Sequence, residues 1–286
     1  MSRHVHDMDW AAMVSYAEAE AEALSSFLED TTSLLVELSQ QDGREVRRII
    51  DVGSGPGVGT CVLARRFPAA TVLAADGSTE MLASVTPRAE RLGLAGRVET
   101  RAVDLPDGLA SLGPADLVWA SMVLHHVGDE GAALRALRAR LEPGGVLALV
   151  EFGEPLRLVP DDVDLGRPGL WERLDEARAT WLAEMRAGLP GAAASDDYAA
   201  MLGAAGFDVV VDRLVRIHLD PPLDARAREV ALQQLRRMRE HVESHADAGD
   251  LQALDLLTDE EDPAGILRRP DAVIHASRRL LVARAR

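Results

Sequence analysis

Lysine and asparagine are both absent from the chain, so its 31 basic residues are all arginine. Without lysine there is no amine for the usual pyridoxal Schiff base and no P-loop lysine to hold a triphosphate. The two absences, beside abundant alanine and arginine, read as the codon bias of a GC-rich bacterial genome. Cysteine occurs once, at Cys61, which rules out an internal disulfide; it falls on the apolar face of a predicted helix, where a free thiol usually packs. Positive charge is in deficit, 47 acidic residues against 31 basic giving a formal charge of -16. An extended polyanion suits such a chain poorly, so no nucleic-acid partner is expected, and a small molecule or a cationic partner fits better. No unbroken apolar run reaches about 18 residues, and Met1 to Ala12 carries charges and histidines where a leader would be apolar. No membrane span is expected, and the cytoplasm is the expected location.

What is present centres on Ile49-Ile50-Asp51-Val52-Gly53-Ser54-Gly55-Pro56-Gly57-Val58-Gly59-Thr60. An apolar run from Val46 reads as a buried strand ending at Asp51, and Cys61 to Arg66 as the first turns of a helix. Glycines between them permit dihedrals that other residues avoid and let a ligand approach the backbone. The N–H groups and positive end of the helix favour an anionic or electron-rich group, so the turn reads as a nucleotide cradle. A dinucleotide fingerprint would place its third glycine at position 58, where Val58 stands.

The spacing present is instead Asp-x-Gly-x-Gly-x-Gly, from Asp51 to Gly57. It resembles the first motif of the class I S-adenosylmethionine-dependent methyltransferases of the small-molecule type. Further along, Ala70 to Ala75 reads as a second strand ending at Asp76, followed by a helix capped by Ser78 or Thr79, and Asp-x-Ser-x-x-Met-Leu resembles that family's second motif. Val98 to Val103 is a third strand before Asp104-Leu105-Pro106, with a helix from Arg88 to Leu94 preceding it. Ala115 to Ala120 is a fourth, followed by Ser121-Met122-Val123-Leu124-His125-His126. A helix from Leu134 to Leu141 ends in Glu142-Pro143-Gly144-Gly145, similar to the family's Leu-x-Pro-Gly-Gly turn, and Val146 to Val150 delivers Glu151.

The resemblance implies S-adenosyl-L-methionine as cofactor and covers residues 46 to 152 well. It implies cofactor contacts from Asp51, Gly53, Ser54, Gly55 and Gly57, from Asp76, Gly77 and Met81, from Asp104 and Leu105, and from Ser121. Asp51 would hold the methionine end, Asp76 the ribose, Met81 the adenine ring and Asp104 the adenine amino group. The Leu-His-His segment would border the methyl group. Methyl transfer is an in-line displacement that needs mainly alignment and exclusion of water. A base is required only when the acceptor arrives protonated; His125 or His126 could serve, with Glu151 orienting the imidazole or binding a substrate amine.

The expected fold is α/β, a Rossmann-like doubly wound sheet of seven strands, mostly parallel with an antiparallel seventh, plus helical lid insertions. The expected domains are a helical cap over 1–42, in which Asp9 to Leu38 is helical, a cofactor-binding core over 43–153, a helical insertion over 154–206, and a strand pair over 207–286 interrupted at about 222–270. The insertions read either as a lid over the sheet or as a homodimer interface. Gly169 to Gly188, Ala225 to Ala246 and Leu251 to Leu257 are predicted helices, and Ser195 caps a short one. His241 and His245, four apart on a helix, have a spacing that can bind metal, but no third ligand is evident and a solvated face is the expectation. His218 and His275 read as core or surface residues, and His4 and His6 as terminal ones.

A methyltransferase acting on an oxygen, nitrogen or carbon of a small molecule, in bacterial specialised metabolism, is the leading function. A protein methyltransferase and a cofactor binder without turnover remain open. A nicotinamide dehydrogenase is disfavoured by the misplaced third glycine and by the lack of lysine.

Overall fold

The computed structural model describes residues 10–161, 165–191 and 197–286. His4, His6 and Ser195 lie outside them. Two compact units are present, one within Met1–Glu151, Ala193–Arg213 and Arg279–Arg286, the other within Phe152–Ala192 and Leu214–Arg278.

Among the described residues there are seven strands, β1 (Arg48–Val52), β2 (Thr71–Asp76), β3 (Val98–Ala102), β4 (Ala115–Ser121), β5 (Leu141–Phe152), β6 (Phe207–Leu219) and β7 (Ile274–Ala285). They form one sheet in the order β3-β2-β1-β4-β5-β7-β6, six parallel and one antiparallel. The central strands are continuous apolar runs because both of their faces are covered: Ile49, Ile50, Val72, Ala74, Val118 and Leu149 are all completely buried. Edge strand β3 is the reverse, its Glu99 and Arg101 exposed in a position where charge discourages pairing with another chain. Parallel pairing places Val52 opposite Ala75 and Ala120, Asp76 opposite Ala102, and Ser121 opposite Val150, so the carboxyl ends align. The strand order reverses between β1 and β4, where ligands of such sheets bind.

Local chemistry departs from the expected boundaries at several points. The first helical stretch is two helices, α1 (Trp10–Ala23) and α2 (Ser26–Gln41), with a break at Leu24 and Ser25 beside a second serine; serine disfavours helix interiors. Helix α3 (Val58–Arg66) begins three residues before Cys61, directly on Gly57, and β1 runs one residue past Asp51. No separate helix spans Arg88 to Leu94. Instead α4 (Thr79–Arg91) runs straight through Pro87, because Leu82, Val85, Arg88 and Ala89 keep one buried stripe and tertiary burial outweighs the missing N–H. Helix α5 is Glu130–Arg138 rather than Leu134–Leu141, since Asp129 caps it by accepting the Ala132 N–H. Strand β5 then starts at Leu141, opposite Ala115; Val146 is opposite Leu117, so Glu142 to Gly145 loops out against Asp116 as a bulge.

Helix α7 (Tyr198–Ala204) is capped by Asp197. In the second unit, α6 (Leu170–Ala187), α8 (Ala225–Val242) and α9 (Ala248–Thr258) bury Trp171, Leu174, Leu235, Val242 and Leu254. Buried Asp250 takes a two-pronged hydrogen bond from Arg173, at 2.7 and 2.6 Å. His241 is not on a solvated face. Its ring stacks on Trp181 at 3.6 Å and 9°, and burial, followed by the charges of Arg237 and Arg178, pushes its pKa down to about 4. His245 lies 3.3 Å from Glu184. His275 Nε2 meets Asp220 at 2.8 Å, with the His218 ring 4.5 Å away. Among the described residues no three His, Cys, Asp or Glu side chains cluster as metal ligands, and no helix is long and apolar enough to cross a membrane.

Candidate cofactor site and the His-Glu pair

The β1–α3 turn is built on three glycines with left-handed backbone: φ is +66° at Gly53, +52° at Gly55 and +81° at Gly57. At Gly53 a Cβ would stand 2.4 Å from Val123 Cγ2, and at Gly57 a Cβ would stand 2.9 Å from Val85 Cγ2. Both positions therefore demand glycine twice over, by dihedral and by close approach. Around Gly55 there is open space on the side where a side chain would project. Ser54 Oγ is buried and has no hydrogen-bond partner among the described residues, a polar atom that a ligand in the cradle would satisfy.

Two carboxylates flank this turn. Asp51 is buried, and its Oδ2 accepts the Thr60 hydroxyl at 2.6 Å. Burial pushes its pKa up to about 7, with the Thr60 hydrogen bond pulling down and the Asp76 charge adding a further upward push. Such a carboxyl gains from a cationic ligand. Asp76 ties the cradle to β2: Oδ2 accepts the Gly55 N–H at 2.8 Å and Oδ1 the Ser78 N–H at 2.9 Å. Each oxygen keeps a second lone pair for a hydroxyl. Ser78 caps α4 through the Met81 N–H at 3.1 Å, which leaves Met81 half-buried beside the loop. Asp104 is exposed, its Oδ1 3.8 Å from where a Gly77 side chain would begin, while Leu105 packs on the core.

On the other side of β1, β4 ends at half-buried Ser121 and the chain enters a 3-10 turn, Leu124–His126. Glu151, with no exposed surface, grips this turn: Oε1 accepts the Leu124 N–H at 2.8 Å and Oε2 meets His125 Nδ1 at 2.7 Å. A buried carboxylate facing Nδ1 selects the tautomer protonated there and puts the ring's lone pair on Nε2. His126 is exposed, with its ring 4.1 Å from that of His125. The two histidines are thus not equivalent, and of the pair His125 is the one held by Glu151.

Asp51, Asp76, the glycines, Ser121, His125 and Glu151 all sit at the carboxyl ends of their strands. Thr60 and Val123 support these groups by contact, Thr60 on Asp51 and Val123 on Gly53, and the sequence alone assigns neither a role; Thr60 stands inside the glycine motif, whereas nothing local singles out Val123. A cavity of about 580 Å³ opens at the opposite, amino edge, lined by Arg44, Arg48, Asp116 and Glu142, away from these groups.

The strand order and the glycine turn define a Rossmann-like α/β fold. Residues 49–145 match the family model of the methyltransferase domain. Over these residues the chain is similar to the class I S-adenosylmethionine-dependent methyltransferases. The chain is 36% identical over 135 residues to a trans-aconitate 2-methyltransferase of Azoarcus sp. strain BH72, covering 46% of this chain and 49% of the relative. It is 32% identical over 176 residues to the trans-aconitate 2-methyltransferase of Methylobacterium nodulans, covering 60% and 61%. Among solved structures, the YcgJ protein of Bacillus subtilis superposes with a TM-score of 0.51 at 16% identity, over 90% of this chain and 98% of that one, a likeness of fold. The chain spans about half the length of the first of these relatives.

Proposed function

We propose that the protein transfers the methyl group of S-adenosyl-L-methionine to a small molecule, with His125 at the acceptor and Glu151 behind it. The observation that carries this reading is the Glu151 carboxylate, wholly buried and shared between Leu124 N–H and His125 Nδ1 at the edge where the cradle lies. A buried charge is costly unless it organises something, and here it fixes an imidazole. When bound, the cofactor supplies an electrophilic methyl on a positively charged sulfur. Gly53, Gly55 and Gly57 admit it to the backbone, Ser54 Oγ offers a hydrogen bond, and Asp51 and Asp76 supply negative charge against its cationic end. Imidazole Nε2 takes the proton of a hydroxyl or amine acceptor, and Glu151 stabilises the resulting cation.

The names of the relatives point to one acceptor chemistry, a small polycarboxylate such as trans-aconitate. A carboxylate is already deprotonated at neutral pH, so His125 would orient it rather than take a proton. A role in bacterial specialised metabolism, in the cytoplasm, completes the proposal. Calorimetry with S-adenosylmethionine, S-adenosylhomocysteine and the nicotinamide cofactors tests the cradle; labelled methyl transfer to trans-aconitate and to hydroxyl and amine acceptors tests turnover. Binding of a nicotinamide in preference to the adenosyl ligands would overturn the reading.

A further inference from the structure

Met122 is the sole non-glycine residue with positive φ among the described residues, at +56°. An L side chain there crowds its own backbone, so the conformation persists only where the flanks over-determine it. The flanks do so. On one side Met122 N–H donates to Val150 O at 2.8 Å, extending the β4–β5 ladder by one bond. On the other, the Val123 isopropyl group occupies the place a Gly53 side chain would take, its three carbons 2.4, 2.7 and 3.3 Å from that Cβ position. The next two residues, Leu124 and His125, are the pair held by the two oxygens of Glu151. The left-handed residue thus turns the chain so that one side chain seats on the cradle and the next but one on the buried carboxylate.

We propose that Val123, aimed by Met122, is a positioning residue that transmits the state of the glycine cradle to His125. The inference rests on the cofactor reading given above and adds to it a coupling that no motif encodes. Gly53 is locked to β2 through its N–H and Ala75 O at 2.8 Å, and Ser54 N–H to the same oxygen at 3.2 Å. Because Gly53 and Ser54 share that one acceptor, a ligand that pulls on Ser54 and Gly55 loads Gly53 as well. Close-packed groups pass such a displacement on rather than absorb it, and Val123 is the group in contact. Two residues later the imidazole shifts against Glu151.

The test is the ring ¹⁵N spectrum of histidine-labelled full-length protein with and without S-adenosylhomocysteine, His125 being assigned from a His125→Gln variant. In the wild type, ligand addition shifts the His125 ring resonances. In Val123→Ala the shift falls to less than about a third while calorimetric affinity changes less than about threefold, and Val123→Ile restores it, which a mere loss of packing would not predict. Met122→Gly, which keeps the dihedral accessible but removes its restraint, broadens the His125 signal in both states. An equal shift in wild type and Val123→Ala overturns the coupling and leaves the cofactor reading standing. Failure of S-adenosylhomocysteine to bind the wild type removes both.

Discussion

Glu151 has no exposed surface and stands 2.7 Å from His125 Nδ1, so the chain places a carboxylate in its core for the sake of one imidazole and one backbone N–H. Glu151→Gln keeps the shape and one acceptor oxygen but removes the carboxylate that faces Nδ1. With a hydroxyl or amine acceptor, kcat is expected to fall about 10- to 100-fold, the low end of or below what general-base catalysis contributes because the imidazole itself stays, while KM for the cofactor changes little. Glu151→Ala also leaves Leu124 N–H unpaired, at about 1–3 kcal/mol of stability. Steady-state kinetics and thermal melts separate the two; unaltered kcat in Glu151→Gln would remove the proton-transfer role.

The acceptor class follows from a comparison of kinetic parameters. A hydroxyl or amine acceptor must lose a proton, so His125→Gln should act mainly on kcat. A carboxylate acceptor requires no proton removal, and the same variant should then act mainly on KM. Measuring kcat and KM separately for each acceptor decides between them.

Asp51 makes the stability of the ligand-free chain depend on pH. Its folded pKa, raised by burial to about 7 against an ordinary 3.8, means that the native state holds a proton that the unfolded chain releases. Between those values the native state binds more protons, so stability falls as pH rises, by at most ~1.4 kcal/mol for each pH unit, and the contribution is complete below about pH 4 and lost above about pH 7. Asp51→Asn should flatten this slope in urea unfolding at about pH 5, 6 and 7. A cationic ligand reverses the preference, so cofactor binding at about pH 6.5 should release protons, seen as a calorimetric enthalpy that varies with the ionisation enthalpy of the buffer. Buffer-independent heat would count against Asp51 as the group that meets the ligand's charge.

Much of this architecture is legible in the sequence, for reasons visible residue by residue. Ile49-Ile50 and Val72-Leu73 read as buried strands because a parallel sheet covers both faces, and Ser78 reads as a cap because its side chain does what serine does at a helix start. Pro87 misleads because local propensity argues against a helix that only the buried stripe of α4 sustains. Glu142 to Gly145 reads as a turn after a helix and is a bulge inside β5, which no local rule distinguishes. The Glu151 grip on His125 joins residues 26 apart and is foreseen only because both follow strands that end on one edge of the sheet; the Val123 contact with Gly53 leaves no trace in the sequence. His241 reads as solvated because its partner Trp181 lies on another helix.

Arg88 gives a stability test remote from the site. The residue is 7% exposed, and its guanidinium pairs with Glu22 at 2.6 Å and Glu18 at 3.3 Å on α1. Arg88→Ala takes the guanidinium away from two half-buried carboxylates and is expected to cost about 2–4 kcal/mol, below the full penalty for breaking a buried pair because both acids keep solvent contact. Amide exchange in α1 should accelerate before that in β1. A uniform loss across both would mean that α1 unfolds only with the sheet.

Gly55 separates binding from folding. Its φ of +52° carries strain for any L residue, but a Cβ there meets nothing within 4 Å, unlike Gly57, whose Cβ would press to 2.9 Å from Val85. Gly55→Ala should therefore cost about 1 kcal/mol, the left-handed strain alone, and Gly57→Ala several times that. The ranking for S-adenosylhomocysteine should differ from the ranking for stability. The methyl added at Gly55 fills the space beside Ser54 where the ligand would lie, so affinity should drop at least tenfold in a protein that melts close to wild type. Denaturant unfolding and calorimetry on the two variants measure both quantities. Equal affinity in Gly55→Ala and wild type would mean that the open side of this turn is not where the adenosyl ligand rests, and the site would have to be sought elsewhere on the carboxyl edge of the sheet.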